Sequence, residues 1–248
     1  GKGTGIESIS MGQGTWYVAG YIDFTGGTVT AGSSNVVLDG TTSSWAALGS
    51  GMDDDVYALT VYKNELIAGG VFWWAGGNSV DYIAKWNGSS WSALGTGMDY
   101  TVYALTVYSN ELIAGGDFTQ AGGISASRIA RWDGSSWSSL GTGMSDRVHA
   151  LTVYNNELIA GGWFLWAGGN LVNYVARWNG SSWSSVGTGM NDDVRGLTVY
   201  NNELIAGGWF TQAGGISANR VARWNGSSWS ALGTGMNDHV HALTVYNS

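Results

Sequence analysis

The chain is predicted to fold as an all-β propeller of four-stranded antiparallel blades, and three observations point there. A Leu-Gly-Thr-Gly-Met block recurs with small variations at Leu48, Leu94, Leu140, Val186 and Leu232, each 46 residues after the last. A fixed period of that size marks a solenoid or a propeller. Between the blocks, short β-branched and aromatic runs alternate with turn signals, and nothing has helical spacing. A tryptophan also returns at one place in each unit, at Trp45, Trp91, Trp137, Trp183 and Trp229.

Residues 102–144 show the elements in order. The first strand is predicted over 102–108, Val-Tyr-Ala-Leu-Thr-Val-Tyr. Ser109-Asn110 follows, replaced by Asn155-Asn156 and Asn201-Asn202 elsewhere, a two-residue turn that tolerates positive φ. The second strand, 111–116, ends in two glycines, which implies a bulge or a close backbone approach. A longer loop runs over 117–127, and a third strand over 128–132. Asp133-Gly134, or Asn-Gly at Asn87, Asn179 and Asn225, reads as a tight hairpin turn into the fourth strand, 136–140. Four strands per unit of this length make a propeller blade.

The tryptophan count implies five blades in a single domain, 1–248. The first, 1–49, is degenerate: Trp16 to Gly20 stands in for Glu-Leu-Ile-Ala-Gly, and residues 35–38 for the third strand. Regular blades are expected at 52–95, 98–141, 144–187 and 190–233. A surplus first strand at 240–246 is expected to close the ring by entering blade one, which would remove exposed sheet edges. The rival arrangement is a six-bladed ring cut short. Near identity of the units fits recent amplification of one blade or blade pair, or assembly by design from such repeats.

The order of signals resembles the kelch-type repeat: an apolar strand, a strand ending in Gly-Gly, then strands carrying Trp132 and Trp137. Tryptophan stands where kelch blades usually carry tyrosine, and the third turn is tighter. Repeats of the Trp-Asn-Gly-Ser-Ser-Trp kind look like those of secreted or surface bacterial proteins, which implies an extracellular or cell-surface location. In architecture the chain is also similar to five-bladed propeller lectins. Kelch-type copper oxidases depend on a cysteine-crosslinked tyrosine, which this cysteine-free chain cannot make.

Composition excludes several classes. With no cysteine there is no disulfide framework, thiolate metal site or thiol nucleophile. A net charge of −8 offers no basic stripe for nucleic acid. No apolar run approaches a membrane span. The sequence opens at Gly1 without methionine, so a signal peptide is open to prior removal. No nucleophile–base–acid set or phosphate loop is present; neither an enzyme nor a cofactor is expected.

Alternating strand direction puts the second loop and the blade-to-blade segment of every unit on one face. Nearly all variation between units falls there. Trp74, Gln120, Trp166 and Gln212 alternate, as do Asn78, Ile124, Asn170 and Ile216, and Tyr82, Arg128, Tyr174 and Arg220. Trp73, Trp163 and Trp209 add aromatics. Such a surface suits carbohydrate, with ring faces stacked on indole and hydroxyls taken by short polar side chains. The bland alternative is that these tryptophans fill gaps between blades. Trp86, Trp132, Trp178 and Trp224, with the fourth-strand set, are read as core.

Asp53–Asp55, Asp99, Asp146, Asp192-Asp193 and Asp238 open onto the same face, where a carboxylate ring could collect calcium. Without a recognised calcium-loop spacing they read as turn residues. The inner strands vary at Tyr57, Tyr103, His149, Arg195 and His241. His239 and His241 would share one face, as zinc ligands can, but lack a third partner. The sequons at Asn87, Asn179 and Asn225 are explained by turns. The function expected is a non-catalytic, multivalent glycan-binding module; the alternative is an adhesion or protein-interaction scaffold.

Overall fold

The computed structural model describes residues 5–12, 15–21, 23–25, 28–30, 36–39 and 44–245. They form five four-stranded sheets, each with its strands hydrogen-bonded in chain order. The first holds Gly5–Gly12, Thr15–Tyr21, Val36–Asp39 and Ser44–Ala47. The second holds Val56–Tyr62, Glu65–Gly70, Ile83–Trp86 and Trp91–Ala93. The third holds Val102–Tyr108, Glu111–Gly116, Ile129–Trp132 and Trp137–Ser139. The fourth holds Val148–Tyr154, Glu157–Gly162, Val175–Trp178 and Trp183–Ser185, and the fifth Val194–Tyr200, Glu203–Gly208, Val221–Trp224 and Trp229–Ala231. Repeated four-stranded antiparallel sheets of this kind make a propeller-like, all-β architecture. Contacts group the chain into two compact units: Gly1–Ala114 with Phe118–Ser125 and Arg131–Ser138, and Gly115–Asp117 with Ala126–Ala130 and Ser139–Ser248.

The first turn behaves as its residues predict. Both central residues have positive φ at Lys63-Asn64, Ser109-Asn110, Asn155-Asn156 and Asn201-Asn202. The third turn is wider than the tight hairpin expected. Trp86 pairs with Trp91, leaving four residues between them. Only Gly88 has positive φ, and the Asn87 side chain accepts from the Ser89 and Ser90 amides at 2.9 Å. The asparagine is therefore an Asx cap. The predicted third strand also loses its first residue, because Arg128 has a φ of 66° and makes a corner before Ile129–Trp132.

Two contacts join consecutive sheets. The indole N–H of Trp91 donates to the Leu48 carbonyl, Trp137 to Leu94, Trp183 to Leu140 and Trp229 to Val186, at 2.8–3.0 Å. Each of these tryptophans also packs against the third-strand tryptophan of its own sheet, with centroids 5.3–5.5 Å apart. The core expectation holds for this set, although Trp86 and Trp132 are only half-buried. The Trp45 side chain lies outside the described residues. The double glycine makes the second contact. A Cβ on Gly69 would sit 2.5 Å from Val102, and one on Gly161 2.5 Å from Val194. No other residue fits there, so the close approach expected of these glycines is present. Phe72, Phe118, Phe164 and Phe210, each fully buried, complete the core.

The tail departs from expectation. Residues 240–245 belong to no strand, and Gly5–Gly12 pairs with Thr15–Tyr21 in the place the tail was expected to take. A local hairpin between residues 12 and 15 closes a much shorter loop than a pairing from the far end of the chain. Residues 246–248 lie outside the described residues.

Replacing Trp183 by phenylalanine keeps the ring and removes the donor to Leu140. It should cost about 1–3 kcal/mol, read as a lower urea midpoint. The same change at Trp166, which is 49% exposed, should stay within about 0.5 kcal/mol.

Candidate binding surface

The long loop is itself folded. In the second sheet's loop, Trp74–Ala75 pairs with Asn78–Ser79 around Gly76-Gly77, whose φ values are 58° and 83°. The same miniature hairpin recurs at Gln120–Ala121, Trp166–Ala167 and Gln212–Ala213. Its signal, Ala-Gly-Gly, stood in the sequence unread as a turn. The methionine of the preceding block bridges onto it, Met52 to Ala75, Met98 to Ala121, Met144 to Ala167 and Met190 to Ala213.

One residue after each methionine caps the loop. Asp53 Oδ1 accepts from the Trp73 and Trp74 amides, both at 2.9 Å. Asp99 accepts from the Thr119 and Gln120 amides and from the Thr119 hydroxyl. Ser145 and Asn191 do the same for 165–166 and 211–212. The aspartates considered for calcium at 53 and 99 are therefore local acceptors. Among the described residues no three histidine or carboxylate side chains gather as a metal site. No helix of the described residues is long and apolar enough to cross a membrane.

The tryptophans expected at the surface are there. Trp73 is 58% exposed, Trp74 51% and Trp163 43%. Trp166 projects from the same hairpin position as Trp74, half of it in solvent. Such exposure does not fit gap-filling. Trp73, Tyr82 and Tyr100 form an aromatic row with centroids 6.1 and 6.0 Å apart, and Trp163 meets Tyr174 edge-on at 6.0 Å. Exposed Leu165 and Leu171 extend the second cluster, and Tyr100 the first; none had been singled out. Burial, opposed by a hydrogen bond with Trp73, raises the Tyr82 phenol above its ordinary value, and the charges of Tyr100, Asp81 and Asp99 add to the rise.

Most polar candidates are already engaged. The Asn78 amide donates to the Trp91 carbonyl at 3.1 Å, and Asn170 to Trp183 at 3.0 Å. Arg128 donates to the Asp117 carbonyl at 2.6 Å, and Arg220 to the Trp209 carbonyl at 2.5 Å. Arg128 also pairs with the Asp117 carboxylate, which Arg147 holds from its other side. The Tyr/Arg alternation is thus two ways of tying the loop's ends together. Gln120 and Gln212 are exposed, beside exposed Ile124 and Ile216.

Trp209 belongs elsewhere. It is half-buried, stacked on His239 at 4.4 Å with the Arg195 guanidinium 4.7 Å from its ring centroid. That stack engages His239, while His241 is exposed. Arg195 and His149 both reach the fully buried Asp193, at 2.5 and 2.9 Å. In three first strands the variable position is a β-bulge, since the pairing slips across Tyr57, His149 and Arg195. A bulged residue stands outside the regular ladder register.

Residues 201–227 match the family model described as "Domain of unknown function (DUF5122) beta-propeller". No curated protein matches the chain. Among solved structures, the RRP9 WD40 repeats are similar at 13% identity and a TM-score of 0.58, over 90% of this chain and 61% of that one. U3-55K is similar at 13% identity and a TM-score of 0.57, over 90% and 62%. The chain therefore spans 61–62% of the length of these structures. At such identity the likeness is one of fold. The chain is a β-propeller-like repeat protein, similar in fold to the RRP9 WD40 repeats.

Burial works against the Asp99 charge, but the Thr119 hydroxyl and the Gln120 and Thr119 amides outweigh it and hold the carboxyl below its usual range. A depressed folded-state value means that the cap's contribution is present above the ordinary carboxylate pKa. It is lost as pH falls through the folded value. Amide-exchange protection at Thr119 and Gln120 should drop on acidification. Asp99→Asn, which copies Asn191, should hold it constant, and Asp99→Ala should abolish it at every pH.

Proposed function

We propose that the chain is a non-catalytic interaction module that binds a protein partner through its long-loop face. The observation that carries this reading is the set of exposed aromatics Trp73, Trp74 and Tyr100 in one compact unit, with a like set, Trp163 and Trp166, in the other, while the Asn78 and Asn170 side chains of the same loops are already bonded within the fold. An apolar patch with a polar rim marks interaction sites, and tryptophan and tyrosine are the usual anchors. Asp53, Asp81 and Asp99 ring the first cluster, and the chain carries a net −8, so the partner segment is apolar with basic flanks.

Glycan binding is the second reading. It is favoured by Trp74 and Trp166, which offer flat indole faces from equivalent hairpins, and repeated sites would give avidity. With it goes the extracellular or surface setting that the kelch-like, Trp-Asn-Gly-Ser-Ser-Trp resemblance implies.

A displayed random-peptide library and a glycan array, each screened against the chain and its Trp74→Ala/Trp166→Ala variant, separate the two. Apolar peptides with basic flanks should bind the parent and lose about 2 kcal/mol or more on the variant, whose stability should change little. Saccharide binding lost in the variant would move the conclusion to the glycan. Binding unchanged by both substitutions would sink the site.

A further inference from the structure

The row formed by Trp73, Tyr82 and Tyr100 stands on a pinned backbone. The Trp73 amide donates to Asp53 and its carbonyl accepts from the Val80 amide, both at 2.9 Å. Tyr82, at a φ of 70°, donates its amide to the Phe72 carbonyl at 2.8 Å and accepts from the Gly70 amide at 3.0 Å. The support of these rings is fixed before any ligand arrives, which lowers the cost of binding.

The row is also negative. Asp81 and Asp99, each next in the chain to one of its tyrosines, act on the Tyr82 phenol through their charge. Among the described residues no lysine, arginine or histidine side chain pairs with Asp53, Asp81 or Asp99. The third and fifth sheets carry Arg128 and Arg220 where Tyr82 stands, so those loops hold a cation of their own. The chain also shows what a ring beside a carboxylate takes up. The Arg195 guanidinium lies 4.7 Å from the Trp209 ring centroid and donates to buried Asp193.

We propose that the Trp73–Tyr82–Tyr100 row is a subsite for an arginine side chain of the partner, with the guanidinium on the aromatic faces and its N–H groups turned to the Asp81 and Asp99 carboxylates. This rests on the long-loop face being a protein-binding surface, and it names the residue of the basic flank which that surface reads. Planarity favours arginine over lysine. A guanidinium stacks on an open ring face, is more weakly hydrated than an ammonium and keeps in-plane donors for carboxylates. The rings are tilted by 60° and 35° to one another, and both end members are exposed, so the row offers open faces of this kind.

The test uses the full chain with N-acetylarginine amide, N-acetyllysine amide and N-acetylcitrulline amide as probes. Citrulline keeps the shape of arginine and removes its charge. The Trp73 indole N–H resonance should shift saturably with the arginine probe, at an affinity about threefold or more above that of the other two. Raising the salt concentration should weaken that binding. Asp99→Asn separates charge from support, because Asn191 caps its own loop in the same way. That variant, and Tyr100→Ala, should each weaken the arginine probe by about threefold while leaving the thermal midpoint in place. Equal binding of arginine and citrulline, or arginine binding untouched by both substitutions, overturns the proposal. A peptide selected on this face that binds equally with citrulline in place of arginine would remove the subsite and leave the protein-binding reading standing. Arginine-selective binding weakened by both substitutions, with no peptide selected, would keep the guanidinium site while the wider reading fell.

Discussion

The structure depends on one hydrogen bond repeated along the chain, from a buried fourth-strand indole N–H to the carbonyl that opens the preceding unit's Gly-Thr-Gly turn. A four-stranded sheet this small cannot bury both faces alone, so it must borrow a surface from its neighbour. The indole bond satisfies a buried polar atom at both ends, which low-dielectric surroundings make costly to leave unpaired. The glycine–valine approach on the second strand then brings adjacent sheets closer than any side chain would permit. Together they fix both distance and register between units. This explains why Leu-Gly-Thr-Gly, Ala-Gly-Gly and the tryptophans vary so little from unit to unit.

Variation is confined to places that these contacts do not touch. The bulged residue of the first strand stands outside the regular ladder register, and tyrosine, histidine and arginine each occupy it. Once Arg195 stands at that position it has consequences nearby. Its charge is held by buried Asp193, and its flat face by Trp209, which His239 covers from the other side. A residue expected at a binding surface is thereby drawn into packing. The pull is local chemistry, a guanidinium and an imidazole on two faces of one indole.

Much of the fold was legible in the sequence because period and strand pattern are properties of single segments. The four strands, the Asn-Asn turns and the purpose of the double glycine all follow from residue type and spacing. What could not be read depends on partners distant in the chain. Asn87 followed by Gly88 suggests a tight hairpin turn, but pairing of Trp86 with Trp91 leaves room for four residues, and the asparagine caps them. Residues 240–246 look like a strand by composition, yet a ladder needs a second strand, and Gly5–Gly12 had already taken the one in view. For the site, the exposure of Trp73, Trp74, Trp163 and Trp166 was legible from their place in variable loops. The engagement of Asn78, Asn170, Arg128 and Arg220 was not, since each bonds a backbone carbonyl that sequence leaves unspecified.

The loop caps show how such a surface can change without unfolding its support. Aspartate, serine and asparagine all accept the same pair of amide protons, at 53, 99, 145 and 191, although the loops they hold carry Trp-Trp, Thr-Gln, Leu-Trp and Thr-Gln. The bond is to backbone, so it is indifferent to the side chain presented. The methionine bridge beside it is also a backbone pairing. Stability of the loop and identity of its surface are therefore separate variables. Indoles in solvent at 74 and 166 and glutamines at 120 and 212 rest on the same scaffold. Alternating loops on an unchanging frame are what a repeat protein requires to alter what it binds while conserving how it folds.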